Sequence, residues 1–299
     1  MTERIVDISD APARLCVRGG LLVLARADEA EFTLPLPEVA VLLIAHPQVA
    51  LTHAVLAGIA GAGGVVVVCD EKRLPVGMLL PLVGHFLQAE RLARQARASL
   101  PTRKQLWRQM VRAKVQAQAA VLRQLRGHDA GLSALAARVR SGDSENIEAQ
   151  AARRYWPALF DDPDFRRGDE AKAVNPLLNY GYGVLRAMTA RALCAAGLHP
   201  SLGVHHHNRY DPFCLADDLM EPFRPLVDRA VAQWADAQRA AGLPLALDRE
   251  TKAAILAALL GRLELDGESR TLFDLLARAA ASLAAALAGE KTELSLPRV

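Results

Sequence analysis

The hydrophobic pattern of the chain changes abruptly near Gly84, and this change restricts the possible folds more than any other feature. Before it, short runs rich in Val, Leu and Phe are punctuated by Gly, Pro and Asp, as in RLCVRG, LLVLAR and EFTLPL, which is typical of β-strands. After it, segments such as HFLQAERLARQARASL are long, rich in Ala and Arg, and carry apolar residues at helical spacing. We therefore predict an α+β fold, in which a small β-sandwich-like domain (residues 1–83) precedes a larger all-α domain (residues 84–299). A length of 299 residues is long for one compact core, which supports two domains.

Residues 39–69 carry no Asp, Glu, Lys or Arg, and an uncharged stretch of this length can span a bilayer as a helix. Pro47 and a cluster of glycines divide the stretch, however. We therefore predict a strand (VAVLLIA), a turn (HPQ), a short helix (LTHAVLAGIAG) and a buried strand (VVVVC) instead of a membrane span.

The four cysteines are widely scattered, and no two of them form a CxxC pair. This scatter argues against a structural zinc site and favours a reducing compartment. The first residues, MTERIVDISD, include acidic residues and lack the long apolar core of a secretory signal. We expect a cytoplasmic protein.

The segment from His85 to Gly127 predicts two amphipathic helices that carry ten cations against one anion, Glu90. The cations are Arg91, Arg94, Arg97, Arg103, Lys104, Arg108, Arg112, Lys114, Arg123 and Arg126. The net charge of the whole chain is only +3, so this bias is local. An array of arginines on one helical face suits a chain of phosphates, and we predict that the segment binds a polyanion. The alternative is a solvated helical face.

The stretch GVHHHNRYDPFCLADDLMEPFR (residues 203–224) concentrates imidazoles and carboxylates. Asp218 and Glu221 are three residues apart and would share one face of a helix, and so would Asp217 and Glu221, which are four apart. Spacing alone does not separate these two pairs. Pro222 requires that the helix starts or breaks nearby.

Three consecutive histidines precede these acids. If the run is extended, His206 points opposite to His205 and His207, so that one or two of the rings face inward. Imidazole together with carboxylates suits Mn²⁺ better than Mg²⁺, and both ions favour oxygen ligands and phosphate substrates. The alternative is a surface loop followed by an acidic first turn of a helix.

A further acid lies in SGDSENIEAQAARRYW. Asp143 or Ser144 is placed to cap a helix, and Glu148 then falls in its first turns beside several alanines. Glu145 would share roughly the same face. Small residues beside an acid suit a crowded metal site, and they equally suit a close crossing of two helices.

Taken together, the segments IEAQAARRYW, NPLLNYGYGVLRA and GVHHHNRYDPFCLADDLMEPFRPLVDRA resemble the adaptation integrases of CRISPR systems, the Cas1 family. CDEKRLPVGMLLPL (residues 69–82) is most similar to the versions found in type II systems. The resemblance runs from the β-rich part almost to the last helices, with the motifs in the same order and at compatible spacing.

The resemblance implies a function for several residues. The glutamate before the small-residue run is Glu148, the histidine after the Gly-containing lead-in is His206, and the acid beside Pro-Phe-Arg is Glu221. These three are implied as the catalytic ligands of a divalent ion, Mg²⁺ or Mn²⁺. The accessory residues implied near the site are Asp218, Arg224 and Asn179. Arg224 either approaches the scissile phosphate or pairs with an aspartate, Asp218 or Asp228.

One position departs from the family pattern. Residue 205 is His where relatives usually have an apolar or aromatic residue, so His205 competes with His206 as a ligand, and a share for His207 stays open. In NYGYGVL, which is a hallmark of the family, Tyr180 and Tyr182 are interpreted as aromatic residues that pack between helices.

The implied reaction is the joining of 3′-hydroxyl ends of captured double-stranded DNA to a CRISPR repeat by transesterification, with DNA cleavage as a side reaction. The residues predicted to contact the DNA are Arg103, Lys104, Arg108 and Arg112. The implied partners are a second copy of the chain, joined mainly through the β-rich domain, a small ferredoxin-like companion subunit and, in type II systems, the large RNA-guided effector nuclease. The alternatives are a free-standing nuclease or integrase acting on branched DNA, and a DNA-binding scaffold without catalysis.

Overall fold

The structure is a computed structural model and describes residues 3–27, 29–71, 75–169, 172–265 and 268–297. Within these residues, the N-terminal part forms two four-stranded sheets. The strands are β1 (Arg4–Ile8), β2 (Ala13–Arg18), β3 (Leu21–Ala25), β4 (Phe32–Pro35), β5 (Val39–Ile44), β6 (Val49–Leu51), β7 (Val65–Cys69) and β8 (Pro75–Leu79).

The first sheet has the order β1-β5-β7-β8, with β1, β5 and β7 parallel and β8 antiparallel to β7. Helix α1 (His53–Gly61) makes the crossover between β5 and β7. The turn after α1 approaches β5 so closely that a Cβ on Gly64 would lie 2.3 Å from the carbonyl oxygen of Val39, so only glycine fits there. The prediction of a strand, a helix and a strand over residues 39–69 is confirmed. None of the helices in the described ranges combines the length and apolar character that a membrane span requires.

The second sheet has the order β4-β3-β2-β6 and packs against one face of the first. Because side chains alternate along a strand, the two faces of β5 enter different cores. Leu42 and Ile44 pack with the second sheet, whereas Val41 and Leu43 join the core of the helical region. The first sheet is therefore a middle layer, buried on both faces, which accounts for the uninterrupted apolar run of β5.

The helical region contains α2 (Gln88–Ala96), α3 (Leu100–Arg126), α4 (Leu132–Arg138), α5 (Ile147–Phe160), α6 (Val174–Ala195), α7 (Cys214–Met220), α8 (Arg224–Ala240), α9 (Arg249–Leu260) and α10 (Leu272–Leu287). Helix α3 is its long central element and packs against α4, α5 and α8. It begins where the Ser99 hydroxyl accepts a hydrogen bond from the Thr102 amide (3.2 Å), with Pro101 in the first turn, and it ends at Gly127, which has a φ of 77°.

Helix α6 connects the two parts of the molecule. A Cβ on Gly181 would lie 2.4 Å from Val227 Cγ1, so α6 crosses α8 at a distance that requires glycine. One residue earlier, the Tyr180 hydroxyl donates to Asp7 Oδ2 on β1 (2.6 Å). Tyr180, interpreted from the sequence as packing between helices, thus reaches from α6 to a strand of the first sheet.

The predicted fold class is confirmed, since sheets in the N-terminal part precede a mostly helical region. That region is not purely α, because a short hairpin, β9 (Leu263–Leu265) with β10 (Glu268–Arg270), separates α9 from α10. The domain boundary between residues 83 and 84 stays a prediction. It falls between the end of β8 and the start of α2.

Candidate active site

Glu148 is placed by the start of helix α5. The Asp143 carboxylate accepts hydrogen bonds from the Ile147 and Glu148 amides (2.9 and 3.0 Å), which satisfies two of the free donors at the helix start. Asp143, one of the two predicted capping residues, is therefore the one whose side chain caps. Glu148 lies in the first turn, above the fully buried Ala151.

Glu221 is placed by a break between two helices. Helix α7 ends at Met220, residues 221–223 form a single 3₁₀ turn, and α8 starts at Arg224. Pro222 fits here because the first positions of a helical turn need no amide donor. Glu221 is buried in this break, with its side chain only 5% exposed.

Lys114 of α3 brings the two glutamates together. Its ammonium donates to Glu148 Oε1 at 2.6 Å and lies 2.6 Å from Glu221 Oε2. The second contact is an ion pair that is not aligned as a hydrogen bond. Two acids that lie far apart in sequence therefore converge on one cation.

From the sequence, Lys114 was identified only as one of the ten cations of the basic segment from His85 to Gly127. In the structure its side chain is 13% exposed. It occupies the inward stripe of α3, in helical register with the buried residues Trp107, Met110, Val111 and Gln118. A lysine within this apolar stripe was the signal that could have identified it.

The charges of this cluster stabilise one another. Burial alone would raise the pKa of Glu221, but the charges of Lys114 and Arg224 outweigh it and hold the pKa below its ordinary value. Burial opposes the charged form of Lys114 as well, and the carboxylates of Glu221 and Glu148 reverse this effect and raise its pKa. Lys114 and Glu221 are therefore both ionised at neutral pH.

Asp218 holds the histidine loop. It is fully buried on α7, and its Oδ2 accepts from the Val204 and His205 amides (2.7 and 2.8 Å). Its Oδ1 accepts from the His206 amide (3.2 Å) and lies 2.6 Å from His206 Nδ1. This contact fixes the imidazole so that Nε2 is left as the free ring nitrogen, which is how a carboxylate commonly orients a metal-binding histidine.

The charges of the two glutamates also affect the pKa of His206. The hydrogen bond to Asp218 raises its pKa against the opposing effect of burial, and the charges of Asp218, Glu221 and Glu148 add to the rise. The three residues predicted from the sequence, Glu148, His206 and Glu221, thus lie within electrostatic reach of one another.

The other two histidines have different environments. The His205 ring stacks flat on the buried Trp107, with ring centroids 4.1 Å apart and planes 1° apart, and burial lowers its pKa. His207 Nε2 lies 3.0 Å from the Arg103 guanidinium. His206 is therefore the histidine that Asp218 orients through the ring.

Of the accessory residues predicted from the sequence, Asp218 and Arg224 contact members of this cluster. Arg224 Nε lies 3.1 Å from Glu221 Oε1, and its guanidinium lies 4.8 Å from the centre of the Tyr182 ring. Arg224 thus pairs with Glu221 instead of the aspartates considered from the sequence. Asn179 on α6 instead accepts from Arg167 at its Oδ1 (2.8 Å) and lines a cavity with Ser9 and Lys252.

Tyr182 belongs to a buried network behind Arg224. The hydroxyls of Tyr182 and Tyr155 both donate to Asp228. Burial raises the pKa of Asp228 to about 6, although both hydrogen bonds oppose this rise. The packing role interpreted for Tyr182 agrees with this position.

The donor set fits a divalent ion under one condition. Carboxylate oxygens and an imidazole nitrogen are ligands that Mn²⁺ and Mg²⁺ use, and a cation already lies between the two glutamates. In the ranges that the structure describes, however, no three His, Cys, Asp or Glu side chains converge closely enough to hold an ion. The fit therefore requires that Lys114 leaves the space between the carboxylates.

Several cations of the basic segment are already bound to other groups of the protein. Arg91 donates to the Ala196 carbonyl, Arg126 pairs with Asp236 (2.7 Å) and Arg123 donates to Ser133. Of the residues predicted to bind DNA, Lys104 and Arg112 are exposed. The number of cations therefore overstates the charge that a polyanion would meet.

The C-terminal segment runs beside this basic face. The Gln109 amide donates to the Thr292 carbonyl (2.8 Å) and accepts from the Leu294 amide (2.9 Å). Arg108, whose Nε donates to the Val139 carbonyl (3.1 Å), lines with Arg112 a groove of about 370 Å³ between α3 and this segment.

The fold and the site define a two-part α+β protein with a buried, charged cluster in its helical part. Residues 7–243 match the family "CRISPR associated protein Cas1", and the chain belongs to this family. A CRISPR-associated endonuclease Cas1 from Neisseria meningitidis is 41% identical over 234 residues, which cover 77% of this chain and 75% of the relative. A second relative of that name, from Pyrobaculum aerophilum, is 31% identical and covers 94% of this chain and 98% of the relative.

Solved structures share the fold at low sequence identity. A casposase bound to its integration product superposes with a TM-score of 0.78 at 20% identity, covering 97% of this chain and 92% of the casposase. A chain of a Cas6-RT-Cas1–Cas2 complex gives a TM-score of 0.75 at 17% identity, covering 98% of this chain and 36% of the larger one. Both similarities concern the fold.

Proposed function

We propose that the protein is a metal-dependent DNA integrase of CRISPR adaptation, which joins captured DNA to a repeat. The observation that carries the proposal is the convergence of Glu148 and Glu221 on Lys114, within electrostatic reach of His206, in a member of the Cas1 family. The relatives named endonucleases and the casposase bound to an integration product support the same chemistry.

The reaction conserves the number of phosphodiester bonds. The 3′-oxygen of the captured DNA forms a new bond to the phosphorus at the repeat boundary, and the bond from that phosphorus to the 3′-oxygen of the flanking strand breaks. The attacking hydroxyl loses one proton and the leaving oxygen gains one, so that no external energy source is needed. Water in place of the 3′-hydroxyl would give DNA cleavage instead.

Individual residues of the chain would bind the metal ion, orient His206 and bind the phosphate. Glu148, Glu221 and Nε2 of His206 would hold Mg²⁺ or Mn²⁺. When bound, this ion would lower the pKa of the attacking hydroxyl and neutralise charge on the phosphoryl oxygens. Asp218 fixes the ring of His206, and Arg224, held by Glu221 and Tyr182, would meet a phosphate oxygen with its guanidinium.

The proposed partners follow from the same family membership. A homodimer formed through the β-rich domain is supported by β8, which is an edge strand among the described residues, and by the exposed apolar residues Leu82 and Val83 that follow it. A small companion subunit is supported by the Cas6-RT-Cas1–Cas2 complex that shares the fold. Contact with the type II effector nuclease rests on the resemblance of residues 69–82, of which residues 72–74 lie outside the described ranges.

The test uses purified protein, alone and with its companion subunit. Short duplexes with free 3′-hydroxyls are incubated with a supercoiled plasmid carrying a repeat, with Mg²⁺ or Mn²⁺, beside a Glu148→Ala control. Covalent joining at the repeat boundary that needs both metal and Glu148 is the expected result. Cutting without joining would favour the nuclease on branched DNA, and DNA binding without any metal-dependent chemistry would favour the scaffold.

A further inference from the structure

Lys114 is a cation that lies between the two acids expected to be metal ligands. It projects from α3 into the gap between two elements that carry the acids, the first turn of α5 and the 3₁₀ turn after α7. Both ion pairs of its ammonium are with these acids, at 2.6 Å each. The position that bridges the two carboxylates, where a divalent ion would bind, is therefore held by an ammonium group.

The charges in this gap already balance. Glu148 and Glu221 carry two negative charges, and Lys114 and Arg224 carry two positive ones. A divalent ion added to this arrangement would leave two uncompensated positive charges beside Glu221, whose side chain is 5% exposed. Uncompensated charge in such a buried position is strongly unfavourable.

Phosphate groups supply the missing negative charge. A lysine is suited to such a transfer because its ammonium moves on a flexible four-carbon stem and binds phosphate as a point charge. If Lys114 turns from the carboxylates to a DNA phosphate, the carboxylates become free for the ion and the phosphate balances the ammonium. Metal and DNA would then enter the site together.

We propose that Lys114 is a positioning residue that occupies the carboxylate pair in the free protein and couples binding of the divalent ion to the arrival of DNA phosphates. This inference rests on the proposed function, because it takes Glu148 and Glu221 as the metal ligands. By the reciprocity of linked equilibria, DNA would strengthen metal binding by the same factor by which metal strengthens DNA binding.

The experiment measures Mn²⁺ affinity by titration calorimetry, without DNA and with a saturating short duplex. The proteins are wild type, Lys114→Met, the exposed control Lys291→Met and Glu221→Gln. Without DNA, Lys114→Met should bind Mn²⁺ at least tenfold more tightly than wild type, since the competing ammonium is gone. The increase in Mn²⁺ affinity that DNA gives should be at least tenfold in wild type and in Lys291→Met, and should shrink in Lys114→Met.

Thermal unfolding provides a second readout. Lys114→Met removes the cation between Glu148 and Glu221 and leaves Glu221 with its Arg224 pair. Its melting temperature should therefore fall without metal and should rise more on addition of Mn²⁺ than that of wild type. If Lys114→Met fails to fold, Lys114→Gln retains hydrogen-bonding capacity without the charge and is measured in its place. A residue that merely supported the fold would lower the melting temperature without raising Mn²⁺ affinity.

Two negative results would be distinguishable. Equal Mn²⁺ affinity of wild type and Lys114→Met, with affinity lost in Glu221→Gln, would overturn the role of Lys114 and leave the metal site intact. Mn²⁺ affinity that is unchanged in Glu221→Gln would overturn the metal site itself, and the inference on Lys114 with it.

Discussion

Asp218→Asn is a nearly isosteric change that should be costly, because it alters the acceptor on which the histidine loop depends. The two oxygens of Asp218 accept four hydrogen bonds, two at Oδ2 and two at Oδ1. An amide NH₂ at the Oδ2 position would face two backbone amide donors, whereas at the Oδ1 position it would face the His206 amide and His206 Nδ1, which can accept in the other tautomer. At least one buried donor is therefore left unsatisfied, at about 1–3 kcal/mol. The remaining hydrogen bonds lose the charge of the carboxylate, at about 1 kcal/mol each, so the free energy of unfolding should fall by about 4 kcal/mol.

The assay is urea unfolding followed by circular dichroism, with Asp164→Asn as an exposed control that carries the same chemical change. The expected loss corresponds to a melting temperature lower by roughly 10 °C, at about 2–4 °C per kcal/mol for chains of this size class. A loss below about 1 kcal/mol would refute the reasoning, because it would mean that the loop does not depend on these hydrogen bonds.

The same variant has a defined pH dependence. The hydrogen bond to Asp218 raises the pKa of His206 in the folded state. The stability that this pair contributes is therefore fully present below the unfolded pKa of histidine, about 6.5, and is lost as pH rises through the higher folded pKa. The difference in stability between wild type and Asp218→Asn should narrow from pH 6 to pH 8, and a difference that widens would contradict the assignment of the donor at Nδ1.

Three further changes test the site, the basic face and the packing. Glu221→Ala should reduce strand transfer by more than about 100-fold while filter binding shows DNA affinity largely kept, and unchanged strand transfer would remove Glu221 from the site. The double variant Arg108→Glu and Arg112→Glu should weaken DNA binding and reduce the slope of log affinity against log salt by up to about 1.8, whereas an unchanged slope would favour a solvated face. Gly181→Ala should lose about 1–3 kcal/mol of stability in thermal melts because its Cβ would collide with α8, and Gly183→Ala, where a Cβ meets no atom closer than 3.5 Å, should melt near wild type.

The hydrophobic pattern of the sequence predicted the helices and strands that are determined by neighbouring residues. The strand, helix and strand of residues 39–69 followed from an apolar run divided by proline and glycine. Strand β6 (Val49–Leu51) was missed because three residues carry too little periodicity, and only its pairing with β2 defines it. The burial of both faces of β5 also depends on the helical region, which lies far away in sequence.

The candidate site also contains residues that motifs predicted and residues whose role depends on tertiary contacts. Glu148, His206 and Glu221 came from motifs, and their assignment as the site stays a prediction, although Glu148 and Glu221 both contact Lys114. Lys114 was missed because its role depends on helices that meet only in the folded chain. The position of His205 likewise depends on stacking with Trp107, which lies almost one hundred residues earlier, and no spacing rule connects the two.

The first sheet lies between the second sheet and the helical region, and this position determines how the molecule can unfold. Val41 and Leu43 are covered by the helical region, so a chain cut between residues 83 and 84 would expose this face on one fragment and its apolar counterpart on the other. The predicted boundary between residues 83 and 84 therefore does not separate two independently stable units. The two parts should unfold in one cooperative transition. For the same reason, a neighbour that binds the outer edge of the sheet would displace the candidate site as a rigid body, without bending a linker.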